Sequence, residues 1–183
     1  DTEVILTLFS IEGAAMLPKL KGMFAFVIWD KKARRAFVAR DPYGIKPLYI
    51  ACTDQGVLLG SQVKALMATG LISRDPDPHG QAGFSMFGSV PEPHTWFRSV
   101  SSVRSGHYLW IENGRISETR CWFDLGESWR RAPEVHLPDA EITVRVARAV
   151  RESVERHSVA DVPVGVFLSG GIDSGAVAGL MVE

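Results

Sequence analysis

The sequence predicts an α+β layered domain followed by the first helix–strand–loop–helix of a parallel α/β unit. Three observations carry that expectation. Short apolar runs separated by turn residues fill much of residues 20–117, the pattern of antiparallel sheets. Residues 124–141 then lack periodicity and hold Pro133 and Pro138, which suits a linker. Beyond them an amphipathic stretch leads through a short apolar run and a Gly-Gly pair into a second apolar stretch, the alternation of a parallel sheet. The expected bounds are residues 1–128 for the first domain, 129–140 for the linker and 141–183 for the second unit.

Residues 3–17 place Val4, Leu8, Ile11 and Ala15 at helical spacing, with Asp1 or Thr2 positioned to cap the start. Residues 20–29 form an almost unbroken apolar and aromatic run, which predicts a strand covered on both faces. A polar turn at 31–35 leads to a strand at 36–39. After a Gly/Pro-punctuated loop at 41–47, strands at 48–52 and 57–59 flank Asp54-Gln55-Gly56. Residues 63–69 read as a short helix ended by Gly70. Residues 73–95, rich in Pro, Gly and His, read as a long loop with short helical pieces. Asn113-Gly114 between 107–111 and 115–117 is a strong hairpin signal. From Ile142, Val146, Val150 and Val154 mark one face of a helix ending near His157. It leads through Pro163 to a predicted buried strand at 164–168.

Composition narrows the function. Of 183 residues, 46% are hydrophobic and 22% charged, enough apolar material for a sizeable core. The net charge is −1 with both signs mixed, so there is no basic field for nucleic acid. No apolar run reaches the length of a membrane span. Cys52 and Cys121 stand far apart without metal-ligand spacing, which points to a reducing, cytoplasmic setting. His79, His94, His107, His136 and His157 show no ligand spacing and read as surface or loop residues. The five tryptophans read as packing residues. Both ends look cut: the chain opens on Asp1 without an initiator Met and stops at Glu183 inside an apolar helical stretch.

The most informative segment is Ser169-Gly170-Gly171-Ile172-Asp173-Ser174. A Gly-Gly pair between strand and helix leaves unpaired amides at the helix start, where the helix dipole favours an anion. The glycines permit close approach, and Ser169 and Ser174 add hydroxyl donors. Asp173 beside an expected polyphosphate makes sense with a bridging Mg²⁺. No lysine follows the glycines, so this is not a Walker A loop. With usage of roughly 7% per residue type, five fixed positions arise by chance in such a chain with probability on the order of 10⁻⁴.

The loop resembles the pyrophosphate-binding loop of the ATP pyrophosphatase superfamily, whose members cleave ATP between the α and β phosphates. Ala39-Arg40-Asp41-Pro42-Tyr43-Gly44-Ile45-Lys46-Pro47-Leu48-Tyr49 resembles a segment of class II glutamine amidotransferase domains. Leu20-Lys21-Gly22-Met23-Phe24-Ala25-Phe26 resembles another, as does Gly60-Ser61-Gln62-Val63-Lys64-Ala65-Leu66, with Gln62 where a glutamate is usual. Alone, Arg40, Asp41 and Lys46 would read as a solvated turn or structural ion pair. Together the segments are similar to the glutamine-hydrolysing asparagine synthetase family, over essentially the whole chain. That resemblance implies an αββα Ntn-hydrolase-type sandwich, here incomplete, followed by the start of a parallel α/β nucleotide-binding domain. It implies glutamine, aspartate and ATP as substrates, Mg²⁺, and a carbon–nitrogen ligase of amino-acid biosynthesis; a homodimer of the parent enzyme is compatible with it. By the same resemblance Asp1 binds the α-amino group of glutamine, Phe167 and Leu168 pass the adenosine, and Ser169, Gly170, Gly171, Asp173 and Ser174 hold pyrophosphate, Asp173 through Mg²⁺. The family's nucleophile is an N-terminal cysteine, which Cys52 and Cys121 cannot replace because neither has the free α-amino group that serves as base. This stretch alone is therefore expected to catalyse neither half-reaction. A paralogue amidating another carboxylate, the glutaminase of amidophosphoribosyltransferase and a non-catalytic remnant are the other readings; the SGGIDS loop argues against the second.

Overall fold

Alternation along two strands organises the first unit. In β2 (Arg35–Arg40), Ala36 and Val38 face one core while Phe37 and Ala39 face another. In β6 (His107–Glu112), Leu109 and Ile111 join the first core, Tyr108 and Trp110 the second. The two strands pair antiparallel between β1 (Ala25–Asp30) and β7 (Arg115–Cys121), giving the order β1-β2-β6-β7. This computed structural model describes residues 2–134 and 136–182. The chain divides into two units, Asp1–Arg131 and Ala132–Glu183.

One face of the four-stranded sheet meets α1 (Thr2–Glu12) and a 3₁₀ helix, Gly13–Lys19. Ile28, Phe37, Ala39 and Tyr108 bury Met16 and Leu17, with Ile5, Leu8 and Phe9 packed around them. The other face lies on a second antiparallel sheet of order β4-β3-β5, made of β3 (Tyr49–Thr53), β4 (Gly56–Gly60) and β5 (Ser101–Ser102). Leu48, Ile50 and Val103 fill that interlayer with Ala36, Val38, Leu109 and Ile111. Leu66 and Met67 of α2 (Val63–Met67) then cover Ala51 and Val100. A mixed α/β unit with two facing antiparallel sheets results, each apolar face buried against its neighbour.

Several expectations need correction. The run at 20–29 does not form a strand covered on both faces. β1 begins at Ala25, flanks the sheet next to β2, and leaves Val27 and Trp29 45% and 56% exposed. The strands buried on both faces are the interior pair, β2 and β6; Leu20 and Phe24 pack as lead-in rather than as strand. The helix at 3–17 changes to 3₁₀ at Gly13, whose φ of +58° ends regular α geometry. Within the predicted loop 73–95 lies a ten-residue helix, α3 (Pro78–Phe87), with Asp77 accepting the His79 amide at its start and Gly88 in the left-handed region at its end. Inside the 124–141 segment, α4 (Leu125–Arg131) forms because Asp124 accepts the Glu127 amide at 2.6 Å and Arg130 and Arg131 pair with Glu127 one turn back. In the second unit, α5 (Asp139–His157) and α6 (Ile172–Val182) are present. Residues 164–168 are not a buried strand: they join no ladder, and Phe167 and Leu168 are exposed. A strand exists only by pairing, and no strand among the described residues of this unit pairs with it.

The β1–β2 turn shows local side-chain control. Asp30 Oδ1 accepts the amides of Lys32 and Ala33, each at 2.9 Å, while Arg34 takes φ +51°. The Ala33 hydrogen bond, helped by the Lys32 amide and the nearby Arg35 and Lys32 charges, holds the Asp30 carboxyl below the usual aspartate value against desolvation. A depressed folded-state pKa stabilises above the unfolded value of about 3.9 and loses that contribution as pH falls through the folded value. Asp30→Ala is therefore expected to destabilise the chain by a constant amount above about pH 5, the gap to wild type closing below about pH 4. Urea unfolding across that range checks it.

Candidate functional site

Two loops concentrate polar chemistry, one in each unit. In the second unit, residues 163–169 run irregularly into the SGGIDS loop and α6 begins at Ile172. Gly170 takes φ +77°, a conformation that favours glycine. The Ser174 hydroxyl donates to the Gly171 carbonyl at 3.1 Å, accepts the Ser169 amide at 3.3 Å and lies 3.0 Å from Ser169 Oγ. The two serines therefore close the loop on itself. Gly175 N–H reaches the Gly171 carbonyl at 3.0 Å, so the amides before it, in the first turn of α6, lack an intrahelical acceptor. Asp173 sits in that turn.

A Cβ added at Gly175 would meet nothing within 4 Å, and one at Gly171 only Ser169 Oγ at 3.5 Å. The chain's own packing does not demand glycine at 171; the space lies open to a group from outside. Amides, hydroxyls and the positive end of a helix dipole suit an anion there. Beside the loop, Val154, Val164, Val166, Phe167, Val177 and Met181 line a mostly apolar hollow of about 410 Å³.

In the first unit, the loop after β2 is braced from within. The Asp41 carboxylate is wholly buried and accepts the amides of Tyr43, Ile45 and Lys46, each at 3.0 Å. Arg40 is 6% exposed; it donates to Glu92 Oε1 at 2.6 Å and to the carbonyls of Gly44 at 2.7 Å, Lys46 at 2.8 Å and Val103. Gly44, at φ +64°, has no room for a Cβ beyond 3.0 Å from that carboxylate. Arg40 and Asp41 thus hold a loop in shape, the structural role that their residue types suggest when read alone.

Residues 1–122, well over half of the chain, match the family model described as glutamine amidotransferase domain. The chain belongs to the glutamine amidotransferase family. The SGGIDS loop falls under a different model, asparagine synthase, matched by residues 145–183. Over 99% of its length this amidotransferase chain is 35% identical to Amidase chry2 of Gibberella zeae, covering 26% of that protein. It is 35% identical to glutamine-hydrolysing asparagine synthetase 1 of Bacillus subtilis, with 100% and 28% coverage. Against glutamine-hydrolysing asparagine synthetase B of Escherichia coli the identity is 31%, with 98% and 27% coverage. The chain spans about a quarter of the length of the curated relatives it matches.

Of the residues singled out by sequence, Ser169, Gly170, Gly171, Asp173 and Ser174 come together at the start of α6, directly after Phe167 and Leu168. Asp1 lies outside the described residues. Cys52 and Cys121 are free and exposed. The amidotransferase domain also holds a cluster that linear spacing missed: Asp77, His79 and His94. Their donor atoms all lie within 4.8 Å of one another. Asp77-Pro78-His79 opens α3, but His94 arrives from the far side of a loop, so only the fold joins them. No described helix is long and apolar enough to cross a membrane.

Proposed function

We propose that this chain is part of a glutamine-dependent carboxylate-amidating ligase of the asparagine synthetase type. One observation carries the reading: an amidotransferase domain and an open SGGIDS loop at a helix start share one chain. In this reading the first unit is the C-terminal part of an αββα Ntn-hydrolase sandwich, residues 1–128, and residues 141–183 open an ATP-binding parallel α/β domain after a linker at 129–140. Glutamine is hydrolysed at the first domain, Asp1 receiving its α-amino group, and ammonia passes to the second. There the β-carboxylate of aspartate attacks the α-phosphorus of ATP, releasing pyrophosphate and forming β-aspartyl-AMP. Ammonia attacks the acyl carbon, and AMP leaves as asparagine forms. Keeping ammonia from water and protons until the anhydride exists is what joining the two domains achieves.

The amides and hydroxyls of Ser169, Gly170, Gly171 and Ser174 would bind the pyrophosphate, and Asp173 would hold Mg²⁺, which offsets polyphosphate charge. Phe167 and Leu168 would line the adenosine, which accounts for apolar side chains left exposed beside a polar loop. A second reading is amidation of a different carboxylate; it stands beside the first because a relative at 35% identity bears the name amidase rather than asparagine synthetase. Supplying the intact protein with amide-¹⁵N-glutamine, ATP and aspartate separates the two. Asparagine carrying ¹⁵N supports the first reading; glutamine consumption without asparagine supports the second.

A further inference from the structure

We propose that Asp77, His79 and His94 form a surface site for a first-row transition ion of the Zn²⁺ class, independent of the glutamine and ATP chemistry. The donors are one carboxylate and two imidazoles, a set that zinc accepts. His94 Nδ1 stands 2.8 Å from Asp77 Oδ2, and His79 Nδ1 stands 3.4 Å from Asp77 Oδ1. Tetrahedral coordination at about 2.0 Å needs donors about 3.3 Å apart. The two contacts run to different oxygens of one carboxylate, and with one donor atom from each residue the three lie within 4.8 Å of one another, so an inward shift of about 1.5 Å, which the exposed His79 can make, brings all three onto one ion. The imidazoles stack at 5.3 Å with 25° between their planes, on either oxygen of one carboxylate.

The backbone holds this arrangement without a metal. Asp77 N–H donates to the Trp96 carbonyl at 3.0 Å and Arg98 N–H to the Asp75 carbonyl at 2.9 Å, with a bridge between Pro76 and Phe97. A Cβ at Gly80 would stand 2.0 Å from the Thr95 carbonyl oxygen, and one at Gly83 2.3 Å from Pro91 Cδ. Only glycine lets α3 lie so close to residues 91–95, and that closeness places His79 beside His94. Asp77 is 8% exposed, and its carboxylate meets the His79 amide at 3.0 Å and the His94 ring nitrogen at 2.8 Å. Two imidazoles and one carboxylate make up the donor set. His79 at the surface leaves further coordination positions open to water.

The test titrates the metal-free intact protein with Zn²⁺ by calorimetry and with Co²⁺ by visible absorption, beside His79→Gln, His94→Gln and Asp77→Asn. Asparagine keeps the helix cap while removing the charge. The expected result is a site whose affinity falls at least tenfold in each variant, with a four- or five-coordinate Co²⁺ band lost in step. A hundredfold excess of Zn²⁺ over Kd should raise Tm by roughly 2 °C in wild type and not in His94→Gln. Absence of binding up to about 1 mM metal, a Kd that corresponds to only about 4 kcal/mol of binding free energy, overturns the proposal. So does binding that the three substitutions, each verified as folded by circular dichroism, leave unchanged.

Discussion

Replacing Arg40 by methionine is expected to cost about 3–5 kcal/mol of stability. The guanidinium is the shared donor for one carboxylate and three carbonyls, and it lies almost wholly out of water. Methionine fills much of the volume but offers no N–H, so the carbonyls of Gly44, Lys46 and Val103 lose their donor, at about 1–3 kcal/mol for each that water cannot reach. The Glu92 carboxylate is partly exposed and recovers water, which caps the total. Glu92→Gln should lose less than Arg40→Met, because the three carbonyls keep their donor and the glutamine amide oxygen can still accept, and Arg40→Lys should also lose less, although one ammonium cannot span four acceptors. Urea midpoints at unchanged m-value measure all three. A loss below about 1 kcal/mol for Arg40→Met would contradict the bracing role.

In the intact protein, Gly171→Val is expected to lower pyrophosphate release on the order of 10³-fold while glutamine hydrolysis stays within a few-fold. The substitution puts a branched side chain in the space that the SGGIDS loop leaves open, yet adds little contact inside the chain. Asp173→Asn should act similarly, and adding Mg²⁺ should recover little of the activity, because the amide is a poor ligand for a hard cation. Measuring glutamate and pyrophosphate in the same reaction separates the two activities. Equal loss of both would mean that the loop supports folding rather than nucleotide.

The interior strands were legible because burial on both faces writes itself as a continuous apolar run, as in Ala36-Phe37-Val38-Ala39. The same rule misassigned residues 20–29, where apolar residues serve a lead-in and a flanking strand half open to water. The Asn113-Gly114 turn was legible from local chemistry alone, and both residues take the positive φ that it requires. Helix α3 was hidden by its Pro, Gly and His residues, and α4 by its seven-residue length, Gly126 and the prolines that follow at 133 and 138; side-chain caps from Asp77 and Asp124 start them nonetheless. The segment at 164–168 shows the opposite failure, since composition marks a strand but pairing makes one. The candidate loop was legible because its residues are contiguous. The Asp77–His79–His94 cluster was not, because the glycines at 80 and 83 that join its parts carry no signal of which loop they approach.

In the proposed function, glutamine hydrolysis and cleavage of ATP between its α and β phosphates are joined in one protein. The most direct measurement is ³¹P NMR of the intact protein turning over ATP and Mg²⁺ with glutamine and aspartate. AMP and pyrophosphate are expected in equal amounts, formed at the rate of amide synthesis. ADP with inorganic phosphate, or glutamate released with ATP untouched, would contradict it.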